Sequence, residues 1–152
     1  MNPMKTMTVM GLLGGLTLAC LNTAAAQAEV LITAEEAKLP PAAIVPMRGI
    51  TRGPGIEQVS PHPDSGVASP LSFKIKFESR NKVEIDPRSV KLIYLRARSI
   101  DLTDRIRKHV TADGIEMDRA EAPPGVHALR LDIADKQGRT ASVIIRLTVT
   151  AQ

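Results

Sequence analysis

The chain has 152 residues, of which 43% are hydrophobic and 24% charged, and a formal net charge of +4 at pH 7. Its aromatics are Phe73, Phe77 and Tyr94, without tryptophan, a poor kit for stacking sugars or single-stranded nucleic acid. The length fits one domain behind an export segment, and a single cysteine, Cys20, rules out an internal disulfide framework.

Residues 1–28 carry the three parts of a secretory signal peptide. Lys5 gives a positive start, residues 7–19 form an uncharged apolar run, and Ala26-Gln27-Ala28 is a small-x-small cleavage site. The run is short for a membrane span. Leu16-Thr17-Leu18-Ala19-Cys20 is similar to a lipoprotein signal, with Thr17 where leucine is usual. The site ending at Ala28 is the better match, so the expected product starts at Glu29, lacks a thiol, and is periplasmic or secreted. Lipid anchoring at Cys20 is the weaker alternative.

Residues 29–55 read as an extended leader rich in proline and glycine. A short strand over 29–34 and one helical turn over 34–39 fit its start, and Pro40-Pro41 ends the turn. Ile44, Val45, Met47 and Ile50 are apolar residues in an otherwise loose stretch, which suits either a plain linker or a docking strap.

The body spans 56–152. Residues 56–59 make a short first strand, and Pro61, Pro63, Gly66 and Pro70 break the loop that follows. Residues 71–78 alternate cleanly, with Leu71, Phe73, Ile75 and Phe77 facing inward. A second strand is expected over 89–95, with Ile93 and Leu95 on its far face and covered by the next segment. In that segment Leu102, Ile106 and Val110 recur at four, which predicts a helix of about two turns over 101–110. Ile115 and Met117 begin another strand that ends before Pro123.

The last hairpin has the strongest pattern. His127, Leu129, Leu131 and Ile133 share one face of its first strand. Asp135-Lys136-Gln137-Gly138 forms the turn, and Val143, Ile145, Leu147 and Val149 share one face of the second strand. Pro124-Gly125-Val126-His127, the Asp135 to Gly138 turn and the closing strand to Val149 resemble the end of bacterial immunoglobulin-like domains of exported envelope proteins. Gly53-Pro54-Gly55-Ile56, Ser60-Pro61 and Val67-Ala68-Ser69-Pro70 extend the likeness to the start of such a sandwich. The resemblance covers roughly 56–149. It implies an all-β, immunoglobulin-like sandwich; the residues themselves give about seven strands, with the short helix inserted between middle strands as a departure from the plainest such pattern. It implies a fold and not a function.

Chemistry-bearing residues are sparse. His62, His109 and His127 are scattered without ligand spacing, so no metal site is assigned. The stretch from Ser60-Pro61-His62-Pro63-Asp64 to Ser69-Pro70 also resembles the opening of periplasmic copper-binding sandwiches. Those carry a histidine at the mature terminus, where Glu29 is expected here. There is no Gly-x-Ser-x-Gly elbow, and Asp113, Glu116, Asp118 and Glu121 lack calcium-loop spacing. Arg96, Arg98, Arg105, Arg107 and Lys108 form the densest basic run and are the candidate partner-binding patch.

The leading expectation is a non-enzymatic periplasmic interaction or structural module without cofactor. Its partner would be a protein or an envelope surface rather than nucleic acid, and its mature chain would have no transmembrane span. The alternative is a periplasmic copper or metal carrier built on a copper-chaperone-like sandwich.

Overall fold

A computed structural model describes residues 27–43 and 52–151. The expected signal peptide, up to residue 26, and the apolar stretch 44–51 lie outside the described residues, so Cys20 does too. The chain forms a β-sandwich of two mixed sheets. Its strands are β1 (Glu29–Val30), β2 (Gly55–Ser60), β3 (Gly66–Ala68), β4 (Leu71–Glu78), β5 (Lys91–Tyr94), β6 (Ile100–Asp101), β7 (Gly114–Glu121), β8 (Gly125–Ala134) and β9 (Thr140–Thr150). Two one-turn helices accompany them, α1 (Ala34–Ala37) and α2 (Thr103–Ile106). One sheet runs β1-β7-β4-β2, and the other runs β3-β9-β8-β5-β6.

Strand alternation builds the core between the sheets. Leu71, Phe73, Ile75 and Phe77 of β4 are buried, as are His127, Leu129, Leu131 and Ile133 of β8. Leu92 and Tyr94 of β5 and Ile145, Leu147 and Val149 of β9 complete the facing layer. Burying each phenylalanine contributes on the order of 1.5–3 kcal/mol.

Nine strands stand among the described residues where about seven were expected. β3 and β6 are the additions. β3 sits inside the proline-broken loop as a parallel partner of β9, with Val67 opposite Val149. β6 pairs antiparallel with β5, with Ile93 opposite Asp101. Both are too short to show a period, and they exist because a neighbouring strand offers an open ladder. β5 starts two residues later than expected, because Pro87–Ser89 form a 3-10 turn capped by Asp86, whose Oδ1 accepts from the Arg88 N–H at 2.9 Å.

The expected helix over 101–110 is α2 followed by a 3-10 turn, Arg107–His109. Its stripe holds: Leu102 and Ile106 are buried, and Val110 packs against the core. The helix does not cover the far face of β5 as expected. It meets the edge of β5, where the Leu102 N–H donates to Leu92 O at 2.8 Å and the Leu92 N–H donates to Thr103 Oγ1 at 3.1 Å. A hydroxyl here stands in for a strand partner, which satisfies a backbone donor that would otherwise be costly to bury.

Residues 29–41, expected as the start of the leader, pack onto the sandwich. β1 pairs parallel with the end of β7, with Glu29 opposite Ala120. Leu31 and Ile32 are 0% and 2% exposed, so they belong to the core. Thr33-Ala34-Glu35-Glu36 is a capping box: Thr33 Oγ1 accepts from the Glu36 N–H, and Glu36 Oε2 accepts from the Thr33 N–H. The segment then reaches β5, where the Ala97 N–H donates to Pro40 O at 2.7 Å.

Candidate functional site

The five basic residues of the candidate patch do not act as one surface. Arg105 makes a two-point pair with Glu36, Nη1 to Oε2 at 2.8 Å and Nη2 to Oε1 at 2.7 Å, and Nη1 also donates to Leu31 O. Planar guanidinium and planar carboxylate match in this geometry. The Arg105 guanidinium holds the Glu36 carboxyl well below the usual carboxylate range, at about 2, against the opposing effect of burial. Lys108 pairs with Glu29 at 2.6 Å, and His109 Nε2 lies 2.9 Å from the same carboxylate. These contacts depress the Glu29 pKa, that of Lys108 most. Two of the five cations therefore fasten the segment 29–41 to α2 and the turn after it.

Arg96 belongs to a different cluster. Its guanidinium lies over the Tyr94 ring, 4.8 Å from the centroid, and its Nε donates to the Tyr94 hydroxyl at 2.7 Å. That hydroxyl is 2.7 Å from His127 Nδ1, and His127 Nε2 is 2.7 Å from Pro123 O. A carbonyl only accepts, so Nε2 carries the proton and Nδ1 accepts from the tyrosine. The tyrosine oxygen, already donating, accepts from Arg96. Every position of this cluster is filled with a neutral imidazole. Burial is the main cause of a lowered His127 pKa, and it also raises that of Tyr94. Tyr94 and His127 are 0% and 1% exposed, so the pair works as a buried brace rather than as an acid and base open to a substrate. It ties the end of β5 to the Pro123-Pro124 entry of β8.

Arg98 and Arg107 remain. Among the described residues neither has a side-chain hydrogen-bond or ion-pair partner; both are exposed, and the Arg107 charge helps lower the Asp101 pKa. They are what is left of the patch for a partner.

The Asp135 turn is also structural. Asp135 Oδ1 accepts from the N–H groups of Gln137 and Arg139 at 2.9 and 3.0 Å, and Oδ2 accepts from Arg139 Nε at 2.7 Å. Burial raises its pKa, but the Arg139 backbone and side-chain hydrogen bonds prevail and hold it low. The side chain is fully buried, which a carboxylate tolerates with this many donors.

The three histidines stay apart in function. His127 spends both ring nitrogens within the brace, His109 faces Glu29, and His62 lies in the loop before β3. Among the described residues no three His, Cys, Asp or Glu side chains are grouped to hold a metal.

The outer face of the five-stranded sheet carries mixed chemistry. Cross-strand rows place Lys91 beside Asp132 and Ser142, and Ile93 beside Arg130 and Ile144. Arg130 Nε donates to Asp132 Oδ2 at 3.0 Å, and the Ser142 hydroxyl donates to Oδ1. A groove of about 430 Å³ opens there between Lys91, Arg130, Asp132, Thr140 and Ser142. The sequence reading passed over these residues, since alternation marks them only as the outward set. Compared with known proteins, the chain matches no family model, no curated protein and no solved structure.

Proposed function

We propose that the chain is an exported, non-enzymatic interaction module of the cell envelope with an immunoglobulin-like sandwich. The observation that carries the fold part is the path of the first strands. β2 pairs antiparallel with β4 in one sheet, then the chain crosses over and β3 pairs parallel with the last strand, β9, in the other. A strand path that changes sheets and closes beside the final strand supports the immunoglobulin-like reading. The β8–β9 hairpin and the antiparallel pair β4–β7 then fill the two layers.

Export rests on the signal-like residues 1–28. The expected cleavage point after Ala28 falls directly before Glu29, the first residue of β1. Cleavage there leaves every strand among the described residues intact. The interaction role rests on how the titratable groups are used. Glu36, Tyr94, His127 and Asp135 each satisfy neighbouring groups, whereas Arg98 and Arg107 stay available on the surface.

Two measurements test this reading. Intact mass of the protein recovered from the envelope fraction should match a chain starting at Glu29. A chain retaining Met1 sinks the export part, and a lipid-modified Cys20 replaces it with an anchored protein. A photo-crosslinker at Arg98 should give one discrete adduct in the envelope that Arg107→Glu diminishes. A ladder unaffected by that change argues against a specific interaction surface.

A further inference from the structure

We infer that the outer face of the five-stranded sheet binds an extended acidic polypeptide, laid across β5, β8 and β9. The inference rests on the reading of the chain as an interaction module and names the chemistry of its partner. Lys91, Arg130 and Arg146 carry it. Lys91 of β5 stands opposite Asp132 of β8, and Arg130 is the next outward residue back along β8. Ala128, the outward residue after that, stands opposite Arg146 of β9. Each step from Lys91 to Arg130 to Arg146 therefore moves one strand across and one outward row along. The cations form a diagonal with a spacing of roughly 8 Å, from a strand separation of about 4.8 Å and about 6.7 Å per outward row.

This diagonal lacks acceptors. Among the described residues the side chains of Lys91 and Arg146 have no hydrogen-bond or ion-pair partner, and both residues are exposed. Arg130 gives only Nε to Asp132, so the Nη edge of its guanidinium is open to a second carboxylate. The acids on this face are already used. Asp132 accepts from Arg130 and Ser142, and Asp101 Oδ1 accepts from the Thr103 N–H at 2.8 Å. The cations thus exceed the acceptors left for them, and Lys91 and Arg130 line the groove of about 430 Å³.

An extended polypeptide matches this surface better than a free phosphate or a lipid head group. Its alternate side chains lie about 6.7 Å apart on one side, close to the spacing of the diagonal. Carboxylates at alternate positions meet Lys91, Arg130 and Arg146 in turn. Arg130 also stands between Ile93 and Ile144, which face outward and are half-buried. Aliphatic side chains of a polypeptide cover those two, whereas a phosphate offers them nothing. The exposed Arg98 and Arg107 flank β6 at the margin of the same sheet and extend the positive field.

Fluorescence anisotropy of a labelled peptide of alternating glutamate and valine, titrated with the full chain, tests this. The peptide should bind, and Lys91→Gln should weaken it about threefold and Arg130→Gln about tenfold. Arg130→Lys keeps the charge but loses the fork, so it should recover only part of that affinity. The Lys91 side chain has no partner to lose, so Lys91→Gln remains informative if Arg130→Gln unfolds. Lys76→Gln, on β4 of the other sheet, should leave the affinity unchanged. An equal loss in Lys76→Gln overturns the inference, as does equal binding of a peptide of alternating lysine and valine. Phosphatidylglycerol vesicles that bind where the acidic peptide does not give the face to lipid and overturn it too. A peptide that fails to bind while the discrete Arg98 adduct persists overturns the acidic-segment inference and leaves the interaction module standing.

Discussion

Glu36 and Arg105 face each other through two parallel hydrogen bonds, at 2.7 and 2.8 Å, between the segment ahead of the sandwich and the helix inserted within it. Their side chains are 16% and 32% exposed, so the pair is sheltered without being sealed. The Glu36 pKa falls from 4.5 to about 2 mainly through the Arg105 hydrogen bonds. A carboxyl depressed on folding stabilises above its unfolded value and loses that contribution as pH falls through the folded one. The contribution is therefore full above about pH 5 and fades toward pH 2, with a ceiling on the order of 3 kcal/mol. Glu36→Gln should lower stability in urea at pH 7 by about 1–3 kcal/mol. The gap between variant and parent should close on acidification to pH 2–3. A gap that stays constant with pH places the effect in packing rather than charge.

The same contact implies that residues 29–41 are part of the folding unit. Leu31 is fully buried in the shared core. Leu31→Ala should cost about 3 kcal/mol, the range for a leucine removed from a packed interior. A chain beginning at Arg52 should unfold at markedly lower urea than one beginning at Glu29. Equal midpoints would show that the strap rests on the sandwich without supporting it.

Much of this was legible in the residues. Over 71–78, 125–134 and 140–150 one face is buried, so side chains alternate and the strands declare themselves. β3 and β6 were not legible, since two or three residues carry no period. The basic run was visible, but proximity along the chain said nothing of partners. Arg105 is matched by Glu36, and Lys108 by Glu29, both from the segment before the sandwich. The Thr33-x-x-Glu36 box was a local signal that could have fixed the start of α1. Tyr94 and His127 each share a strand face with apolar residues in the sequence, but their meeting depends on the register of β5 on β8, Tyr94 opposite Leu129. No residue pattern encodes that offset.

Gly138 carries the β8–β9 turn at φ +79°, and a Cβ there would meet nothing within 4 Å. Space is not the constraint; backbone conformation is. Gly138→Ala should cost about 1 kcal/mol through the left-handed conformation. Gly138→Asn should cost less, because asparagine tolerates that region. Thermal unfolding of the two variants orders them, and an alanine variant as stable as the parent would mean the turn adopts another form.

The Tyr94–His127 brace makes an acid-side prediction that is separate from Glu36. His127 is held neutral by burial first and by the nearby Arg96 charge second, against the Pro123 carbonyl, which favours protonation. A histidine whose pKa falls on folding stabilises the fold above its unfolded value near 6.5 and loses that contribution as pH drops through the lower folded value. Stability should therefore decline from about pH 6.5 downward, before Glu36 begins to titrate. Tyr94→Phe removes the hydroxyl that donates to Nδ1 and leaves only the longer Arg96 Nη2 contact at 3.4 Å, at a cost of about 1–3 kcal/mol at pH 7. Losing the tyrosine donor destabilises the neutral imidazole and raises its folded pKa toward the unfolded value, so the decline below about pH 6.5 should be smaller in Tyr94→Phe and end at higher pH. Urea midpoints at half-unit steps between pH 4.5 and 8 read both effects. The brace assignment fails if parent and variant show the same profile, since a ring whose nitrogens were open to water would not feel the loss of the tyrosine hydroxyl.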